Sequence, residues 1–166
     1  MSDRVTNIVV AGLGGQGVVK ASDIIADAAF RGGYDVKKAE IHGMSQRGGS
    51  VTTDVRFGKK VLSPMVSAGE ADYLLVLSPD QVENNLPMLN PKGILIQPEL
   101  AKEAFRENKR SLNIVLVGIL SRLLELPETF WREALKASLP PNDLERNIQA
   151  FELGRKIGET VDKNEA

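Results

Sequence analysis

Two glycine-rich stretches near the start of the chain carry the residues whose types and spacing suit chemistry. The first is Gly12-Leu13-Gly14-Gly15-Gln16-Gly17 and the second is His42-Gly43-Met44-Ser45-Gln46-Arg47-Gly48-Gly49. Gly12, Gly14 and Gly17 satisfy a G-x-G-x-x-G spacing, which lets backbone N–H groups approach an anion at a helix N-terminus. The same spacing also serves a tight strand-to-helix turn with close packing, and both readings stay open. In the second stretch Arg47 can hold a phosphate or carboxylate bidentately. Ser45 and Gln46 add hydrogen-bonding heads. His42, the one histidine of the chain, can shuttle a proton or simply make a structural hydrogen bond.

A full catalytic set is missing. With no cysteine, the chain has no thiol nucleophile, no disulfide and no thiolate to hold an Fe–S cluster. Ser45 lacks a triad, and no His and carboxylate spacing suggests a metal site. The acidic residue that ends the second strand of a dinucleotide-binding unit is represented only by Glu40, with Lys37 and Lys38 on the same strand, so NAD or FAD binding is not favoured. Arg47-Gly48-Gly49 occurs once and is no RNA-binding tract. Glycine loops without catalytic machinery suggest a domain that completes a site belonging to another chain.

The elements that must position these loops follow from periodicity. Ile8-Val9-Val10-Ala11 reads as a buried parallel strand. Val18, Ala21, Ile24, Ile25, Ala28 and Ala29 form one face of a helix that Gly32-Gly33 ends. Tyr34 to Ile41 is a second, more polar strand. Ser50 to Phe57 alternates, with Val51, Thr53, Val55 and Phe57 on one face. Gly58-Lys59 reads as a turn and Lys60-Val61-Leu62 as a return strand, which predicts an antiparallel hairpin. Passing from the second strand to a hairpin without a crossover helix departs from a standard dinucleotide fold.

Ala71 to Leu77 is a further buried strand. Ser78-Pro79-Asp80-Gln81 then matches a capping box with proline at the first helical position, opening a helix to about Leu89 that stops at Asn90-Pro91-Lys92-Gly93. Ile94-Leu95-Ile96 is a strand closed by Pro98. Ile114 to Leu124 is apolar throughout and reads as a buried helix, with Asn113 as its cap, or as a strand leading into one. Glu128 to Ala137 is amphipathic through Phe130, Trp131, Ala134 and Leu135. After Pro140-Pro141, Asn142 and Glu145 suggest the start of a last helix, with an apolar face of Leu144, Ile148, Phe151 and Ile157. Asp162 to Ala166 reads as a frayed tail.

The expected fold is α/β: residues 1–166 as a single domain, with a mixed, mostly parallel sheet, an antiparallel hairpin and helices on both faces. The bulk numbers agree, with 42% hydrophobic and 26% charged residues, ordinary for a globular chain. Lys+Arg is 21 against Asp+Glu 22, a net charge of -1, so the footprint of a general nucleic-acid binder is absent. The first residues show no signal-peptide pattern, and no apolar run approaches the roughly 20 residues that span a bilayer. A cytoplasmic protein with neither nucleic-acid nor membrane partner is expected.

At the two loops the sequence resembles a known family. Gly12-Leu13-Gly14-Gly15-Gln16-Gly17-Val18-Val19 and Glu40-Ile41-His42-Gly43-Met44-Ser45-Gln46-Arg47-Gly48-Gly49-Ser50-Val51 are similar to the gamma-type subunits of 2-oxoacid:ferredoxin oxidoreductases. The His-Gly-Met-Ser-Gln-Arg-Gly-Gly string points to the indolepyruvate branch. Gly69-Glu70-Ala71-Asp72 and the Pro-Pro break followed by Asn147, Ala150 and Phe151 are similar too, so the resemblance spans essentially the whole chain.

The resemblance implies a mixed α/β fold. It implies a subunit of a complex that converts an arylpyruvate and coenzyme A to an acyl-CoA and carbon dioxide, reducing ferredoxin. Thiamine diphosphate and 4Fe-4S clusters are then expected on a large alpha subunit and none on this chain, which should be inactive alone and form homodimers when isolated. His42, Gln46 and Arg47 become candidates for catalytic contacts. Gly12, Gly14, Gly15, Gln16, Gly17 and Ser45 become candidates for binding substrate, coenzyme A or partner. Two readings of other classes stay open: a stand-alone nucleotide- or CoA-binding module, and an NAD- or flavin-dependent reductase.

Overall fold

The computed structural model describes residues 3–42, 49–102 and 111–161, and of His42 the backbone alone. The expected tail, Asp162 to Ala166, lies outside the described residues. One five-stranded sheet organises the rest, in the order β2-β3-β1-β4-β5. Its strands are β1 (Thr6–Leu13), β2 (Asp35–His42), β3 (Ser50–Gly58), β4 (Ala71–Val76) and β5 (Leu89–Ile96). The helices are α1 (Val18–Arg31), the single turn α2 (Val82–Asn85), α3 (Leu112–Leu123), α4 (Glu128–Ser138) and α5 (Pro141–Gly158).

β1 lies between β3, antiparallel to it, and β4, parallel to it. It therefore has no polar face. Ile8 and Val10 pack into the main core under the helices, and Val9 and Ala11 into a second cluster with Leu74, Val76 and Val66. β3 is antiparallel to both its neighbours and β5 is parallel to β4. The mixed sheet is as expected: β1, β2, β4 and β5 share one direction and β3 opposes them.

The hairpin itself differs from the expectation. Residues 60–62 form no strand. β3 is inserted between β2 and β1, pairing from Ser50 to Phe57 on one side and from Val51 to Gly58 on the other. Both its edges are used, so the chain that follows has no ladder to join on β3. Residues 59–70 instead form a strap over the second face, fastened by side chains. Val61 N–H donates to Asp35 Oδ2 at 2.8 Å, Arg56 Nη1 to the Ser63 carbonyl at 2.7 Å, and Val66 N–H to Asp54 Oδ2 at 2.9 Å. The antiparallel hairpin of this fold is β2–β3.

The two faces are covered unequally. α1, α3 and α4 contribute to the main core on one face. The other carries the strap and the short helical passage Pro79–Met88, in which α2 is flanked by 3-10 turns. α1 has the expected interior face of Val18, Ala21, Ile24, Ile25, Ala28 and Ala29. It stops where Gly33 turns left-handed at φ 85° and Tyr34 N–H bonds back to the Ala29 carbonyl, an arrangement a Cβ would oppose.

The apolar run before Leu124 is helical, and α3 is buried nearly all round, which explains its lack of a polar face. α5 lies along α3. Its interior stripe is Asn147, Ala150, Phe151, Gly154 and Gly158; of the expected face Phe151 is buried and Ile157 packs partly buried against the core, whereas Leu144 and Ile148 belong to neither core cluster. Glycine permits the approach: the Gly118 and Gly154 Cα atoms crowd each other so closely that a Cβ on either would lie 2.9 Å from the other.

The expected caps do not form. Ser78 Oγ bonds to Asp80 rather than to a helix amide, and Gln81 reaches away from its own turn. Asn113 is inside α3, whose cap position is Ser111. α5 opens at Pro141 with Pro140 before it, so Asn142 is already in the first turn. Proline offers no N–H there, which leaves less for a cap to satisfy. β5 begins at Leu89, so Asn90 to Gly93 lie within it as a register irregularity rather than as a turn before a strand at Ile94.

Candidate functional site

Because β1 and β2 share a direction, Leu13 and His42 leave the sheet at one rim. β3 enters the sheet there at Ser50, opposite Leu13. Both glycine stretches therefore converge, and the contact between them is direct: Gly14 N–H donates to the Gly49 carbonyl at 2.9 Å.

The first turn is built by its own residues. Gly12 still belongs to β1, opposite Val51. A Cβ there would lie 2.8 Å from Gln16 Oε1, 2.9 Å from Val18 Cγ2 and 3.1 Å from Leu77 Cβ. Gln16 folds back, its Oε1 accepting the Leu13 N–H at 2.7 Å while its own N–H donates to the Leu13 carbonyl at 3.2 Å. That amide oxygen is thus engaged inside the turn. Gly15 is left-handed, φ 87°, over open space. Gly17 is left-handed at φ 84° and caps α1, its carbonyl accepting Ala21 N–H at 2.9 Å. The Asn113 side chain lies where a Gly17 Cβ would go, and its Nδ2 donates to the Gly17 carbonyl at 3.4 Å.

Beside this turn is a cavity of about 420 Å³, lined by Leu13, Gly14, Gly15, Gly17, the start of α1 through Lys20, and Val51. No acidic residue occupies the first turn of α1, so no carboxylate of its own offsets the positive end of its dipole, and an anion is favoured there. Lys20 Nζ donates to the Ser138 carbonyl at 2.8 Å, tying the cavity's cation to the end of α4.

Ser45, Gln46 and Arg47, with Gly43, Met44 and Gly48, lie outside the described residues, as does the side chain of His42. Backbone pairing sets His42 opposite Val51 at the rim. Gly12, Gly14, Gly15, Gln16 and Gly17 are brought together with Gly49 and Ser50. Glu40 Oε1 accepts from Lys38 Nζ at 2.9 Å, and Lys38 also pairs with Asp23. Burial opposes the Lys38 charge, but these carboxylates outweigh it and hold the ammonium above its usual range. A carboxylate so engaged is poorly placed to take a ribose.

Sequence reasoning missed three residues of the rim. Gln81 and Asn113 read as helix caps, and Lys20 carried no signal. Gln81 Oε1 accepts the Ser50 hydroxyl at 2.8 Å. Among the described residues no group of three or more His, Cys, Asp or Glu side chains converges to hold a metal ion. A larger cavity, about 870 Å³, opens beside Arg4, Tyr34, Asp72, Tyr73 and Lys92. It lies where β1 and β4 begin, the rim opposite the glycine turn, and includes none of the candidate residues.

Known proteins share this sequence pattern and this fold. The family model described as pyruvate ferredoxin/flavodoxin oxidoreductase matches residues 7–157. The chain is 34% identical to the indolepyruvate oxidoreductase subunit IorB of Thermococcus kodakarensis, over 93% of this chain and 96% of that one. Its fold matches the gamma subunit of a keto/oxoacid ferredoxin oxidoreductase from Geobacter sulfurreducens, with a TM-score of 0.79 and 22% identity over 94% of this chain and 99% of that one. It also matches 2-oxoglutarate:ferredoxin oxidoreductase from Magnetococcus marinus, solved with 2-oxoglutarate, coenzyme A and succinyl-CoA bound. There the TM-score is 0.83 at 23% identity, covering 98% of this chain but 32% of that longer one.

Proposed function

Since the chain belongs to the pyruvate ferredoxin/flavodoxin oxidoreductase family, we propose that it is the gamma-type subunit of an indolepyruvate (arylpyruvate):ferredoxin oxidoreductase. The complex oxidatively decarboxylates a 2-oxoacid, joins the acyl group to coenzyme A and passes the electrons to ferredoxin. Its setting is the cytoplasm, and residues 1–166 act as one gamma-type domain. The observation that carries the reading is the 34% identity to an indolepyruvate oxidoreductase subunit over 93% of this chain, and at the site it is supported by the bond from Gly14 N–H to the Gly49 carbonyl. That bond joins the first glycine turn to the last residue of the second stretch at one rim of the sheet.

The cofactors belong to the large alpha subunit. When bound there, thiamine diphosphate supplies the electron sink for decarboxylation and 4Fe-4S clusters carry the electrons onward. This chain does not fit the clusters itself, because it has no cysteine to ligate iron. Its own part is to bind and orient. The Gly15 and Gly17 amides and the N-terminus of α1 favour a phosphate or carboxylate, with Lys20 nearby as a cation. Arg47 pairs with a substrate carboxylate or a coenzyme A phosphate. Ser45 contacts the same co-substrate, and His42 and Gln46 hydrogen-bond beside the reacting centre. The rim as a whole closes over the partner's site and keeps water from it.

The test is co-purification. The chain is tagged in its native host, isolated anaerobically, and assayed for reduction of a viologen dye that depends on both indolepyruvate and coenzyme A. A large iron–sulfur partner carrying that activity is the expected result. A partnerless chain that binds coenzyme A, or NAD or FAD, by itself would overturn the reading in favour of a stand-alone module or a reductase.

A further inference from the structure

Gln81 stands three residues after Ser78, where a glutamine ordinarily reaches back to the amide of its own helix cap. Here it does not. Its Oε1 turns away and accepts the hydroxyl of Ser50, 31 residues distant in sequence, at 2.8 Å. Gln81 is 8% exposed, and its main chain is held on both sides. Its N–H donates to the Ser78 carbonyl at 3.0 Å and its carbonyl accepts Asn85 Nδ2 at 2.7 Å.

Ser50 is itself exposed, so its hydroxyl would be satisfied by water without Gln81. What the bond changes is geometry. Ser50 faces Leu13 across the β1–β3 ladder, at the point where both glycine stretches meet the sheet. The Gly49 carbonyl, one residue before it, accepts the Gly14 N–H. A connected path thus runs from Gln81 through Ser50 and Gly49 to Gly14. A second side chain, Asn113, reaches the other end of the same turn at Gly17.

We propose that Gln81 is a positioning residue for the first glycine turn: through Ser50 and Gly49 it holds the Gly14 amide and so sets where the Gly15 and Gly17 amides meet an anionic co-substrate group. The group is a phosphate of coenzyme A or the carboxylate of the 2-oxoacid. The proposal rests on the subunit reading above and adds to it a residue outside both glycine stretches. Gln81 touches no substrate in this scheme and acts only on the backbone that does.

The experiment uses the intact complex carrying Gln81→Leu, Ser50→Ala, both together, or Ser50→Thr. KM and kcat are measured for coenzyme A and for the 2-oxoacid separately, with assembly followed by gel filtration. Each single variant is expected to assemble and to raise one of the two KM values about three- to tenfold, the worth of one hydrogen bond, with kcat within about twofold. The substrate whose KM moves identifies the anion. The double variant should be no worse than either single, because the two side chains act along one path. Ser50→Thr keeps the hydroxyl and should restore the wild-type KM. Unchanged KM values in assembled Ser50→Ala overturn the proposal, and that exposed serine keeps the test valid if Gln81→Leu fails to fold. Single effects that multiply in the double variant overturn it too. A wild-type complex without activity overturns the subunit reading, and this proposal with it.

Discussion

Gly15 and Gly17 share a left-handed φ, 87° and 84°, but their surroundings differ. A Cβ on Gly15 meets nothing within 4 Å, whereas one on Gly17 runs into Asn113. Alanine at position 15 should therefore cost about 1–2 kcal/mol, the strain of a left-handed residue. At position 17 the crowding adds to that strain, for a total of about 2–4 kcal/mol. Urea unfolding of the two variants checks the order, and equal midpoints would show that Asn113 swings aside freely. The glycine spacing was legible in the sequence because it reflects local backbone geometry. The partners of Gln81 and Asn113 were not. An amide side chain has the same local options in any helix start, and which one it takes depends on what lies across the fold.

The strap of residues 59–70 depends on single side chains of the sheet, Asp54 foremost. Asp54 is 2% exposed and accepts the Val66 N–H. Burial pushes its carboxyl above the ordinary 3.8, against the lowering pull of Val66 N–H and Arg56. The folded state thus holds this proton more tightly than the unfolded chain. The group's contribution to stability is full below the unfolded value and declines as pH rises through the folded one. Asn at position 54 keeps an acceptor for Val66 without the buried charge. Its stability relative to wild type should therefore rise as pH is raised from about 4 towards 7, read from urea unfolding at several pH values. A difference that is flat across that range would mean the carboxyl is not raised. The alternation of the strand sets Asp54 on the face opposite Val51, Thr53, Val55 and Phe57, without saying what covers that face. Its burial follows from the strap, which the hairpin expectation had turned into a strand.

Across the whole molecule the main core is continuous from Ile8 in the sheet to Phe151 in α5. Trp131, the one tryptophan, is 0% exposed, with its ring centroid 6.3 Å from that of Phe151. A reporter at that point senses the helices and the sheet together. Its fluorescence and the far-UV circular dichroism should therefore lose their native signals along one urea curve. Separate midpoints would show that α4 and α5 unfold apart from the sheet. The α/β class, the strands β1 and β4, the interior face of α1 and the glycine turn after β1 were determined by the sequence alone. Each rests on a period or a backbone preference confined to a few neighbouring residues. Tertiary structure decided the rest: β3 between β2 and β1, the glycine crossing of α3 and α5, and the bond that joins the two loops. Every strand offers the same N–H and C=O groups along its edges, so its hydrophobic pattern reports which face is buried but not which strand pairs with it. Only the packed chain selects the partner.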